Sequence, residues 1–377
     1  MLKTIFGVML ILLSTIAQSA VRPLPAPPSL GAKSYLLAEY HSGRVLVQHE
    51  ANTRIEPASI TKIMSSYVIY QAMKEGLIKL TDEVTISEKA WRMEGSRMFV
   101  EVGKKVSVEK LLHGMIIQSG NDATVALAEH VASSEESFVS LMNDQARQLG
   151  MLDTHFMNAT GMPDPDHYTT ASDIMKMAVA LIRDFPEEYR LYSERSYTFN
   201  DISQSNRNRL LWEDPKVDGI KTGHTTSAGY CLVASALDKD QRLISVVTGT
   251  NSDKDRTNQS KALLNYGFRF FETRRLYEAA KPVATARVWK GESPEVKLGI
   301  AKDLYVTYPR GQDKLLSATM DRPERLEAPL SAGQVVGKVK VTVNGVGLDE
   351  VPLVALNKVP QGGFFRRMYD SVMLMLE

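Results

Sequence analysis

The chain holds a single cysteine among its 377 residues, so no internal disulfide can brace it. That residue, Cys231, sits in the apolar stretch Gly229-Tyr230-Cys231-Leu232-Val233-Ala234 and reads as packing. An excess of one charge is missing too. Its 45 Lys and Arg balance 44 Asp and Glu for a formal net charge of +1, which leaves no electrostatic footprint for nucleic acid. His41, His49, His113, His130, His155 and His167 show no metal-ligand spacing. No cofactor or metal is expected. Long hydrophobic runs are absent apart from Ile5 to Ile16, which is too short to span a bilayer comfortably.

That one run has the form of a secretory leader. Lys3 precedes it and Ala17-Gln18-Ser19 follows, with small residues at both cleavage-critical positions. Met1 to Ser19 is therefore expected to be removed after Ser19 on export. Its loss takes the formal charge to zero, because the leader carries Lys3 and no acid. The remaining length is ample for two domains.

Three short motifs follow in order: Ser59-Ile60-Thr61-Lys62, Ser119-Gly120-Asn121 and Lys221-Thr222-Gly223. Together they describe a serine acyl-transfer site that uses a lysine to activate the nucleophile. Each alone is weak, since Ser-x-x-Lys occurs about once or twice by chance in a chain of average usage. Ser59 opens an apolar run of helical period (Ile60, Ile63, Met64, Tyr67, Val68), so Lys62 lies one turn above it on the same face. A lysine serves as base only where burial or neighbouring cations make its neutral form accessible. Read without the other motifs, Ser59 is equally a helix cap and Lys62 a solvated helix residue.

A second Ser-x-x-Lys, Ser107 to Lys110, fits a cap better: it precedes Leu111, Leu112, Met115 and Ile116, with Glu109 in the first turn. Ser119-Gly120-Asn121 breaks two apolar helical stretches and can aim a hydroxyl and an amide into a cleft, or merely cap. Lys221-Thr222-Gly223 leads into an apolar strand. There Lys221 adds charge, Thr222 a donor and Gly223 close backbone approach, and the His224 and Ser59 amides can form an oxyanion hole. The alternative is a simple Lys-Thr-Gly turn.

With these residues in place, the sequence resembles the D-alanyl-D-alanine carboxypeptidase group of penicillin-binding proteins. The resemblance extends through Glu56 to Lys62, Gln118 to Ala123, Asn206 to Trp212 and Asp218 to Thr225. It also takes in Thr154 to Phe156 with Asn158, Gly161, His167 and Tyr168, and Gly267 to Glu272. It implies an enzyme that removes the terminal D-alanine from peptidoglycan stem pentapeptides and is acylated by β-lactams. Ser59 would be the nucleophile, Lys62 its base, and Ser119, Asn121 and Lys221 would complete the site. Arg207 and Arg256 would stand near the substrate carboxylate, which a guanidinium pairs with bidentately. A β-lactamase built on the same motifs and a non-catalytic β-lactam-binding scaffold are the rival readings.

The fold expected is α+β: an antiparallel sheet with helices on both faces, a small all-β domain, and a C-terminal amphipathic helix. Strands are expected at Ser34 to Tyr40 and Arg44 to Gln48, helices from Ser59 to about Met175, strands from Lys221 to Thr250, and a helix from Gln259 to Glu272. After Ala280, Val339, Val341 and Val343 alternate with Lys338, Lys340 and Thr342, a strand pattern. In the tail, Phe365, Met368, Tyr369, Val372, Met373 and Leu376 share one helical face, and Arg366, Arg367, Asp370 and Ser371 the other. Such a helix lies in a membrane interface, or else docks on its own β domain. The expected divisions are a leader over 1–19, a catalytic domain over 20–280, a β-rich domain over 281–361 and an anchor over 362–377. The resemblance implies a periplasmic protein held on the outer face of the inner membrane by Phe364 to Glu377.

Overall fold

The computed structural model describes residues 24–376. The leader expected at Met1 to Ser19 lies outside the described residues, as does Glu377.

The first layer is a five-stranded antiparallel sheet built from both ends of the catalytic region. Its strands are β1 (Ser34–Glu39), β2 (Val45–His49), β3 (Val217–Thr225), β4 (Gly229–Asp238) and β5 (Gln241–Thr250), in the order β2-β1-β5-β4-β3. Alternation sends Leu36, Ala38, Val233 and Val246 to one face, and Leu37, Leu232, Ala234 and Val247 to the other. Both faces are covered. The first packs on a helical layer: α1 (Lys62–Lys74), α2 (Val108–Ile117), α3 (Asn121–Ala132), α4 (Glu135–Gln148) and α5 (Ala171–Asp184). The second packs on α6 (Asp253–Phe270) through Leu263 and Leu264. An antiparallel sheet buried on both faces needs apolar residues at nearly every position, and β4 and β5 have them.

Helix α1 is the axis of the helical layer. A five-residue stripe marks it in the sequence, yet ten of its thirteen residues are buried, so it is enclosed on all sides. Its buried serines are satisfied by neighbouring elements, whereas the Tyr70 hydroxyl is buried without a partner. Ser65 Oγ donates to the Ala159 carbonyl at 2.6 Å, and Ser66 Oγ meets the Tyr192 hydroxyl.

Two local expectations are corrected. The region from Ser59 to Met175 is not helical throughout, because Glu83–Thr85 and Lys105–Ser107 pair as short antiparallel strands around Val84 and Val106. The helix expected from Gln259 starts at Asp253 instead. Ser252 caps it by accepting from the Asp255 amide at 3.1 Å, and Asp253 and Asp255 sit where the helix dipole favours acid. A polar first turn shows no apolar period, which is why the pattern misses it.

Between α6 and the tail the regular structure is strand, apart from one 3₁₀ turn. Phe271–Tyr277 pairs with Leu304–Pro309, and a six-stranded sheet carries the antiparallel pair Val335–Val343 and Val346–Ala355. Val339, Val341 and Val343 are buried as the alternation requires. The two units meet where the turn after β1 touches strand 304–309. Ser42 Oγ lies 2.6 Å from Thr307 Oγ1, and His41 stacks on Tyr305 at 4.4 Å.

The tail forms α7 (Phe364–Leu376). Asp370, expected on its solvated side, is instead buried: it accepts from the Lys290 amide at 2.6 Å and pairs with Arg366 at 3.3 Å. Asp370 is the one buried residue of the helix, with Arg367, Ser371, Met373 and Leu374 half-buried beside it. Phe365 (79 % exposed), Met375 (86 %) and Leu376 (76 %) stand in solvent. Among the described residues no helix is long and apolar enough to cross a membrane.

Candidate active site

Ser59 stands in a single 3₁₀ turn, Ala58–Thr61, that delivers the chain into α1. Its hydroxyl caps nothing and is free for chemistry. Ala58 is held in the left-handed region at φ 47°, a costly conformation for an L residue that packing must enforce. The enforcement is visible on two sides. A Cβ on Gly223 of β3 would come within 3.1 Å of the Pro57 carbonyl and 3.2 Å of Ala58, so a larger residue would push the turn away by a few tenths of an ångström. Gly161, at φ 85°, lies so near Ala58 that an added Cβ would overlap its carbonyl oxygen at 1.8 Å.

Lys62 begins α1 directly above Ser59 and is buried. Its amine reaches Ser59 Oγ at 3.0 Å, Asn121 Oδ1 at 2.7 Å and the Thr160 carbonyl at 2.7 Å. Burial lowers its pKa to about 7; the positive charge of Arg207 pushes the same way, and Asp122 opposes both. Near neutral pH the free amine is thus well populated.

Ser119 occupies the break between α2 and α3 with φ 63°, another left-handed non-glycine. Its hydroxyl accepts from the Lys221 amine at 2.9 Å. Burial holds the Lys221 pKa well below its ordinary value, and Lys62, Arg207 and Arg256 add repulsion. Two residues on from Ser119, Asn121 is fixed by its own side-chain amide, which donates to the Glu94 carbonyl at 2.6 Å. Behind it, the Asp122 carboxylate accepts from the amides of Met98, Phe99, Val100 and Ala123, tying the 98–100 segment to the start of α3.

These groups line a cleft of about 850 Å³ with Thr222, Gly223 and His224 on its β3 wall. β3 is an edge strand that pairs with β4 alone. His224 is exposed, its ring 3.9 Å from that of Tyr230. Arg207 is exposed at the cleft mouth, whereas Arg256 is buried in its wall. The Arg256 guanidinium donates to the Gly223 carbonyl at 3.0 Å and pairs with Asp253. All ten residues singled out in the sequence line this cleft, except Lys62 and Lys221, which reach it through the two serines. Ser107 does not: it caps α2, accepting from the Lys110 amide at 3.4 Å.

The loop 157–162 is the part that sequence reading left without a role. Asn158 Oδ1 accepts from the amides of Thr160, Gly161 and Met162, folding the loop so that the Thr160 carbonyl faces Lys62. The Asn-x-x-Gly spacing was its only local signal.

The family model described as D-alanyl-D-alanine carboxypeptidase matches residues 21–252, and that of the penicillin-binding protein 5 C-terminal domain matches 271–361. The chain is 48% identical over 356 residues to the D-alanyl-D-alanine carboxypeptidase DacC of Escherichia coli (strain K12), covering 92% of this chain and 89% of that protein. It is 46% identical over 360 residues to DacA of the same organism, covering 93% and 89%. The crystal structure of penicillin-binding protein 5 from Haemophilus influenzae superposes with a TM-score of 0.87 at 44% identity, over 89% of this chain and 100% of that one.

Proposed function

The chain belongs to the D-alanyl-D-alanine carboxypeptidase family, and on that premise we propose that Ser59 is its nucleophile, Lys62 the base, and Ser119 with Lys221 the route for the leaving-group proton. The protein is a penicillin-binding serine carboxypeptidase that acts in the cell wall. What supports the residue roles is the geometry of one amine. A neutral lysine has two N–H donors and one lone pair. Asn121 Oδ1 and the Thr160 carbonyl, both at 2.7 Å, take the donors, which leaves the lone pair for the Ser59 hydroxyl at 3.0 Å.

The steps follow. Ser59 Oγ attacks the carbonyl of the penultimate D-alanine as its proton passes to Lys62. The amides of Ser59 and His224 take the developing oxyanion, with β3 pairing along the extended peptide. Collapse breaks the amide bond as the Ser119 hydroxyl gives its proton to the D-alanine nitrogen and takes one from Lys221, leaving an ester on Ser59. Water cleaves that ester as its proton passes back through Ser119 to Lys221 and protonated Lys62 returns its proton to Ser59 Oγ. Arg207 pairs with the terminal carboxylate. Arg256 adds charge from behind the strand while bracing Gly223, and Thr222 offers a hydroxyl donor.

We further assign residues 20–280 to the catalytic domain and 281–361 to the β-rich domain. The exposed apolar side of α7 makes residues 362–377 a membrane-surface anchor, and cleavage after Ser19 would place the body in the periplasm. Incubation with a stem pentapeptide should release D-alanine in step with tetrapeptide. Penicillin should add its mass to the peptide containing Ser59. Rapid hydrolysis of penicillin without pentapeptide cleavage would favour a β-lactamase, and neither activity would favour a scaffold.

A further inference from the structure

His167 is 2 % exposed and lies in neither the cleft nor the proton route described above. Its Nδ1 is 3.4 Å from the Met157 amide, which can only donate; Nδ1 therefore accepts, and the ring proton sits on Nε2. Nε2 then donates to Thr61 Oγ1 at 3.0 Å. One neutral ring thus joins the two segments that flank the base: Thr61 precedes Lys62, and Met157 opens the loop whose Thr160 carbonyl receives the Lys62 proton. Phe156 packs edge-on against the ring at 5.7 Å. The other side of His167 lines a second cavity of about 570 Å³, bounded by Ile55, Glu56, Pro163 and Ala228, which shares no lining residue with the cleft.

We propose that His167 is a positioning residue that clamps the Thr61 turn to the 157–162 loop and seals Lys62 from the water of this second cavity. The inference rests on Lys62 being the base. Thr61 is fully buried and does not line the cavity, whereas the His167 ring that it contacts at 3.0 Å does. Trimming the ring would join that space to the buried turn. Loss of burial is the change to which Lys62 is most sensitive, because burial is the largest cause of its low pKa. A loosened Thr160 carbonyl would act in the opposite sense, but incoming water replaces that acceptor. The titratable groups around Lys62 (Arg207, Asp122 and Lys221) stay in place, and those facing His167 are Asp164 and His155. Burial holds His167 itself at a pKa of about 4, so it stays neutral over the range in which Lys62 titrates.

The test is the rate of acylation by a fluorescent penicillin between pH 5.5 and 10. Wild type should show an acid limb near pH 7. In His167→Ala the limb should move up by about one unit, making acylation at pH 6 ~10-fold slower while rates converge at pH 10. His167→Gln keeps a donor opposite Thr61 and fills the space, so its limb should stay near wild type. His167→Asn keeps only the Met157 contact and serves if the alanine variant does not fold; its limb should move as well. Equal loss at every pH, or a wild-type limb that stays put in the Ala and Asn variants, would overturn the clamp alone. A wild type with no acid limb would remove Lys62 as the base and this inference with it.

Discussion

Thr160 lies 98 positions from Lys62 in the chain, yet its carbonyl oxygen accepts from the Lys62 amine at 2.7 Å. That contact, with Asn121, orients the lone pair toward Ser59, so the chemistry depends on a neutral amine and not on positive charge. Lys62→Arg keeps the charge but stays protonated. Its acylation by penicillin should fall by ~10²–10⁴-fold, the usual contribution of a general base. A stopped-flow comparison with wild type would decide it, and a variant within a few-fold of wild type would remove the role.

Arg207 lowers the Lys62 pKa by repulsion. In Arg207→Ala that repulsion is gone, the protonated amine is easier to form, and the acid limb of acylation should move to higher pH. A separate effect is expected on selectivity. Release of D-alanine should fall far more than acylation by an activated ester lacking the terminal carboxylate. The pH profile and the ratio of the two substrates report the two effects independently. Equal losses on both substrates would leave Arg207 without a role in recognition.

Ser107 and Ser59 share a four-residue motif but not an environment. Ser107→Ala should label with penicillin like wild type and lose about 1 kcal/mol of stability, the usual value of a helix cap. Ser59→Ala should not label at all. Peptide mapping of the adduct separates the two.

What the sequence made legible here is what is local. Ser59 and Lys62 are one helical turn apart, so their meeting needs only the backbone period. The alternation through Val339, Val341 and Val343 likewise marks a buried strand face. The contacts that tune the base are long-range: Asn121 is 59 positions away and Thr160 is 98. They follow from how α1, α3 and an irregular loop pack, and no spacing rule encodes that. Asp370 shows the opposite failure. Its helical face marked it as solvated, but a backbone amide of Lys290 lacked an acceptor and the carboxylate supplies one. Motif resemblance located the cleft residues, whereas His167 became more than a matched residue only when its two ring contacts were seen.

The depressed pKa of His167 also predicts how stability varies with pH. Its folded value, about 4, lies below the unfolded value near 6.5, so the unfolded chain binds the proton first. The contribution is whole above pH 6.5 and is lost as pH falls toward 4. Over that window it amounts to roughly 3 kcal/mol at 1.36 kcal/mol per unit. Urea unfolding at pH 7 and pH 4.5 should show a smaller loss for His167→Gln than for wild type. The same loss in both would assign the acid sensitivity to other groups.

Helix α7 touches the β-rich unit through Asp370 and turns Phe365, Val372, Met375 and Leu376 outward. A helix docked for stability would do the reverse, burying its apolar side and leaving the carboxylate in water. The exposed face is therefore available to a lipid surface. Arg366 and Arg367 would add about 1 kcal/mol each on anionic lipid, and burial of the apolar side adds more at roughly 25 cal/mol per Å². Ending the chain at Gly363 should leave turnover of a soluble pentapeptide unchanged while abolishing co-sedimentation with anionic vesicles. Val372→Asp with Leu376→Asp should do the same without removing the Asp370 contact. Co-sedimentation of the truncated protein would locate the anchor elsewhere. A large fall in its melting temperature would show instead that α7 serves the β-rich unit as a structural element.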